Sequence, residues 1–183
     1  MITRNYSPVR YILLTMVIFL ACNLTTPTEE PTEEPTEEPA LGSIGGVLWH
    51  DKCAFVDGDP PVLGEGCLQW GSESWEFGPN QMFDSFETGW AGVTLHLGAG
   101  ACPSTGLDTT ATNAMGEYSF DDLEAGTYCV SYSASTDGND TILIPGAPTY
   151  PERGEDGDFQ TVELGAGEVN SEVDFGFAWM FYN

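Results

Sequence analysis

Residues 110–132, TATNAMGEYSFDDLEAGTYCVSY, narrow the fold more than any other stretch. Tyr118 and Phe120 alternate with polar Glu117, Ser119 and Asp121, and Tyr128, Val130 and Tyr132 alternate again after a corner at Leu123 to Gly126. A period of two places one side of each segment in a core and the other toward water, as half-buried strands require. The short corner predicts that the two segments pair as a β-hairpin. A hairpin alone is at best marginally stable in water, so the rest of the domain has to cover its apolar face.

Similar short segments recur on either side. Ser43 to Trp49 reads as a first strand, with a bulge expected at Gly45-Gly46. Val93, Leu95 and Leu97 alternate with Thr94 and His96, and residues 106–112 form a Thr-rich strand. Thr141 to Ile144 reads as a short edge strand stopped by Pro145, and Phe159 to Leu164 and Glu172 to Phe177 complete the set. About seven short strands without an amphipathic helical period predict an all-β, antiparallel sandwich of the Ig-like kind.

The first 41 residues are not part of that domain. Arg4 and Arg10 precede an apolar run of eleven residues, Tyr11 to Ala21, too short to span a bilayer comfortably and suited to an export signal. It ends Phe19-Leu20-Ala21-Cys22, which resembles a bacterial lipobox. That reading makes residues 1–21 a signal peptide and Cys22 the lipidated N-terminus of an exported chain held at the outside of the cell envelope. Residues 22–41 then hold a threefold Pro-Thr-Glu-Glu repeat. Without apolar side chains to offset ordering entropy, and with prolines and repelling glutamates, such a linker is an extended spacer reaching roughly 50 Å at about 3.1 Å per residue.

Charge excludes some partners. Four basic residues face 29 acidic ones, for a net charge of −25. Removal of residues 1–21 takes away Arg4 and Arg10 and leaves −27. Such a surface repels nucleic acid and anionic lipid headgroups. No nucleophile elbow with an accompanying triad and no phosphate-cradling glycine loop is present, so no enzymatic reading finds support.

Several blocks together, Gly42-Ser-Ile-Gly45…Trp49-His-Asp51, Glu87-Thr-Gly89-Trp-Ala-Gly92-Val93, Gly116-Glu-Tyr118-Ser-Phe120…Gly126-Thr-Tyr128-Cys-Val130 and Val173-Asp174-Phe175-Gly176-Phe177, resemble an SdrD B-like domain, one of the Cna B-type, prealbumin-like sandwiches of bacterial surface proteins. The resemblance spans residues 42–178. It implies a non-catalytic stalk, spacer or adhesive module, often stabilised by calcium. Family calcium loops lie between the first strand and the Gly-x-x-Gly-Val strand and supply hard oxygen ligands. Counting back from Glu87 at the twelfth place puts Asp84 ninth, the Met82 carbonyl seventh, Asn80 fifth, Gly78 third and Glu76 first. Asp51 of Trp-x-Asp is the alternative first ligand. The rival reading is a solvated acidic loop. Some relatives form a Lys–Asn isopeptide bond from a buried lysine on the first strand; here Lys52 lies after that strand.

Two features stand outside the resemblance. Apart from Cys22, Cys53, Cys67, Cys102 and Cys129 make an even set in an exported chain, which fits two disulfides in one of three connectivities. The favoured pairing is Cys53–Cys67, closing a short loop, with Cys102–Cys129 on the outer face or at an edge. The long 51–89 loop is also rich in aromatics, including Trp70, Trp75, Phe77, Phe83 and Phe86, with Trp90 just beyond. These either form a satellite core under the loop, or present Trp70, Trp75 and Trp90 for stacking on a carbohydrate or small ligand. Asp57-Gly-Asp59 and Glu152 to Asp158 read as turns, and Phe177 to Tyr182 as an extension of the last strand or an association patch.

Overall fold

A computed structural model describes residues 38–56, 58, 62–73, 76–152 and 158–179. The signal segment, Cys22 and most of the Pro-Thr-Glu-Glu spacer lie outside the described residues, as do Asp57, Asp59, Trp75 and residues 153–157 and 180–183. No described helix is long and apolar enough to cross a membrane.

The domain is a β-sandwich. One sheet holds β10 (Gly146–Tyr150), β13 (Phe175–Trp179), β1 (Gly42–His50) and β12 (Val169–Asn170), with β8 (Glu117–Leu123) also paired to β1. The other is ordered β11 (Phe159–Leu164), β9 (Gly126–Tyr132), β6 (Thr94–Ala99), β7 (Asp108–Ala111). Most pairings are antiparallel, but β1 runs parallel to both β12 and β13. Two ribbons, β2 (Phe55–Val56) with β3 (Val62–Leu63) and β4 (Cys67–Gln69) with β5 (Phe77–Pro79), carry the 51–89 insertion.

The alternating pair of segments is not a hairpin. β8 pairs with β1, whereas β9 lies between β6 and β11 in the opposite sheet. The corner at residues 124–125 therefore carries the chain across the core. Periodicity assigns each strand an apolar side but not a partner: Tyr118, Phe120 and Leu123 meet Tyr128, Val130 and Tyr132 through the core rather than along a ladder. Ile44, Leu48, Leu95, Leu97, Phe175 and Phe177 complete the same apolar cluster.

Two further expectations are corrected. Residues 141–144 are not an edge strand: Asp140–Leu143 is a single helical turn, α1, and the edge strand is β10 just beyond it. The reason is Asn139, whose fully buried side chain accepts from Thr94 N and donates to Thr94 O and Ser133 O, fixing a turn where a strand was expected. The irregularity in β1 falls between Gly42 and Ile44, and the Gly45-Gly46 pair is regular. Those glycines serve close approach instead. A Cβ on Gly46 would lie 2.1 Å from Val173 O, and Val47 N donates to Asp174 Oδ1 at 2.8 Å, tying β1 to the Val-Asp-Phe-Gly-Phe segment.

Both disulfides form with the favoured connectivity, Cys53–Cys67 and Cys102–Cys129. Cys129 points away from the core as its position between Tyr128 and Val130 requires, yet it is buried because the Cys102 loop covers it.

Candidate functional site

Trp49 and Asp51 lie two residues apart at the end of β1 and so share a side, and the 76–90 segment folds over them. Trp49 is buried, with the Phe83 ring at 5.7 Å and the Tyr150 ring at 5.5 Å. On β13 opposite, Gly176 leaves room for the indole, since a Cβ there would come within 2.9 Å of Trp49 Cζ2 and 2.6 Å of Thr149 Oγ1. Trp49 Nε1 and Thr149 Oγ1 are buried beneath the loop without a hydrogen-bond partner.

The loop turns sharply at Gln81, whose φ is +67°. Three contacts hold that turn: Gln81 N donates to Asp51 Oδ2 at 3.1 Å, Gln81 Nε2 donates to Thr149 O at 2.5 Å, and Met82 N donates to Asn80 Oδ1 at 2.9 Å. Asn80 Nδ2 donates to Asp84 Oδ2 at 2.8 Å. Glu87 closes the loop, its Oε1 accepting from Lys52 N at 2.5 Å and its Oε2 from Asp84 N at 3.0 Å. Although only 8% exposed, Glu87 carries a carboxylate. Burial pushes its pKa up, Asp51 and Asp84 add repulsion, and the two N–H groups pull the other way.

The five expected ligand positions are thus drawn into one loop: Asp51 at its floor, Asn80, Met82 and Asp84 along it, and Glu87 at its end. Their donor chemistry suits calcium, being carboxylate, amide and carbonyl oxygen throughout. Many of these oxygens are engaged by N–H donors, and no three His, Cys, Asp or Glu side chains among the described residues come together as a metal-binding group. Glu76 and Gly78, the places counted first and third, belong instead to the β4–β5 ribbon, where Glu76 Oε2 accepts from Glu73 N at 2.9 Å.

The aromatic residues divide. Trp70 is 54% exposed on the β4–β5 ribbon. Trp90 is not beside it. Trp90 stacks with His50 at 4.6 Å and Trp179 at 5.0 Å, and its Nε1 donates to Phe177 O at 3.2 Å. Trp75, the third of the expected set, lies outside the described residues. Sequence reading missed the partners of Trp90, because His50 and Trp179 meet it only through the pairing of β1 with β13. Burial, and secondarily Lys52, lower the His50 pKa to about 4, so the ring is neutral at pH 7. Lys52 Nζ lies 3.4 Å from Thr88 Oγ1 in an exposed contact, not the buried site that an isopeptide bond requires.

The family model of the SdrD B-like domain matches residues 76–177. The chain belongs to the SdrD B-like domain family. The match begins at Glu76, so β1 and the Cys53–Cys67 ribbon lie outside it, while the Gln81 turn and all strands from β5 to the Phe177 register lie within it. No curated protein matches the chain. Among solved structures, the minor pilin of the gram-positive pathogen Streptococcus agalactiae is similar at 11% identity and a TM-score of 0.39, over 79% of this chain and 47% of the pilin chain, so less than half of the pilin is spanned. An SdrD B-like domain is a structural module of surface proteins.

Proposed function

We propose that this SdrD B-like domain is the outward-facing part of a lipid-anchored surface protein with a structural or adhesive role. Cys22 carries the anchor and the Pro-Thr-Glu-Glu spacer sets the domain's distance from the envelope. The observations behind this reading are a disulfide-braced sandwich of surface-module type and, ahead of it in the sequence, an apolar segment after Arg4 and Arg10 that ends in Leu20-Ala21-Cys22 and reads as an export signal. Cys22→Ser tests it. The wild-type chain partitions with membranes and runs as a processed, acylated species, whereas the variant is released or left unprocessed. A variant that is processed and partitions with membranes as the wild type does sinks the reading.

In this proposal the loop over Trp49 takes calcium by rearranging, since its carboxylates do not converge as they stand: Asp51, Asp84 and Glu87 would exchange N–H partners for the ion, and Asn80 and the Met82 carbonyl would supply neutral oxygens. Support comes from Glu87, whose pKa is raised by burial and by two neighbouring carboxylates, a strain that a divalent cation relieves. The sign is fixed. A carboxyl whose folded pKa lies above its unfolded value penalises the folded state most above the folded pKa, and protonation removes that penalty as pH falls. Calcium therefore raises the melting temperature at pH 7 and raises it less at pH 5, where protons compete for Glu87, and Glu87→Gln loses most of the response. Melting curves identical in excess chelator and in added calcium at pH 7 rule the site out.

A further inference from the structure

The Gln81 turn is tied to Asp51, Thr149 and Asn80 and closed by Glu87, so it is a rigid element and not a loose strand of surface. It nevertheless projects three large apolar side chains: Met82 is 60% exposed, Phe83 51% and Phe86 37%. Phe83 has one side against Trp49, and the edge of Phe86 lies against Gly66, beside the Cys53–Cys67 link. Holding these groups in water forgoes burial that a less constrained loop would recover, and a fixed, exposed apolar cluster marks an interaction site. A surface fixed before docking also loses less ordering entropy on binding.

Charge selects the partner. Residues 51–89 contain eight acidic side chains and one basic one, Lys52. An acidic protein approaching this tip would meet repulsion and a neutral one would offer no counter-charge, whereas lysine and arginine side chains match both features. Their charged ends find carboxylates, and their stems and cationic groups lie against phenylalanine faces.

We propose that Met82, Phe83 and Phe86, with Asp84 in the same turn and exposed Glu65 beside Gly66, form a docking surface for a cationic polypeptide segment. This rests on the surface-presentation reading and supplies the partner class for an adhesive role.

The test uses the purified full chain and a panel of short peptides: lysine- and arginine-rich sequences with interspersed leucine, length-matched neutral sequences, and length-matched glutamate-rich ones, at about 150 mM salt so that distant charges are screened. Two variants are compared with the wild type. Met82→Ser/Phe86→Ser alters the tip, leaving Phe83 on Trp49. Leu107→Ser/Val169→Ser removes two other exposed apolar side chains from elsewhere on the domain. All three proteins have the same net charge, so attraction by the acidic spacer is constant across them. The cationic peptides bind best, the tip variant binds them at least tenfold more weakly with an unchanged melting temperature, and the second variant binds as the wild type does. Equal binding by the tip variant shows attraction by charge alone and overturns the proposal, as does a preference for neutral or acidic peptides or no binding at all. Failure here leaves surface presentation standing, because membrane partitioning of Cys22→Ser decides that separately.

Discussion

Phe175→Ala is expected to destabilise the domain by about 3–5 kcal/mol, the range for emptying a fully buried aromatic site. Phe175 has no exposed surface and sits where the two sheets meet, with the Tyr132 ring at 5.3 Å in an edge-on arrangement and the Tyr118 ring at 6.5 Å. Tyr118 cannot move in to fill the space, because its hydroxyl donates to the buried Val173 carbonyl. Tyr132 belongs to β9, which is paired on both sides. The hole is therefore largely retained, and the cost falls toward the upper part of the range. Against a typical total stability of about 5–15 kcal/mol, this takes a large share. Calorimetry should show a fall in melting temperature on the order of 10 °C, and a fall under about 3 °C would mean that the site collapses or that the two sheets are not packed through Phe175.

Removal of the Cys102–Cys129 bridge is the second large effect. It closes a loop of 27 residues in sequence separation, worth ~3.5 kcal/mol by restriction of the unfolded chain, and Cys53–Cys67, at a separation of 14, is worth ~3 kcal/mol on the same reasoning. Loop length alone makes them nearly equal, but their positions do not. Cys129 lies buried in β9, a central strand, so the loop it closes is released only when the sandwich unfolds, and the restriction acts on the main transition. Cys53–Cys67 links the inserted β2–β3 and β4–β5 ribbons, each of which pairs within itself and not with the main sheets, so that they can open while the sheets persist. Cys102→Ala/Cys129→Ala should thus lower the main thermal transition by several degrees more than Cys53→Ala/Cys67→Ala. The second pair should instead speed proteolysis within residues 51–76. Equal shifts of the main transition would show that the insertion melts together with the sandwich.

The candidate loop was legible in part. Counting back from Glu87 identified Asn80, Met82 and Asp84, and the structure places them in one turn because carboxylate and amide side chains bond to nearby backbone N–H groups, a local effect that spacing reveals. Gln81, which anchors that turn, falls at the sixth place of that count, which supplies no ligand. Its contact with Thr149 spans 68 residues, and no local pattern announces it. The same holds for Trp90, which sequence grouped with Trp70 and Trp75 and the fold assigns to His50 and Trp179.

The amino-acid sequence by itself indicated which side of most strands faces the core, because burial there follows a two-residue period, although Leu48 and Trp49 are both buried in β1, and it favoured among three disulfide connectivities the one that forms. Tertiary structure alone decided which strands pair. Tyr118–Phe120 and Tyr128–Tyr132 look like two arms of one hairpin, since each has an apolar side and a short corner joins them. They lie in opposite sheets because β1 supplies β8 with a ladder and β6 and β11 supply one for β9, and burial of both apolar sides is then achieved across the core. Hydrophobic alternation specifies a side for each strand; hydrogen-bond partners come from distant segments, and only their assembly selects among them.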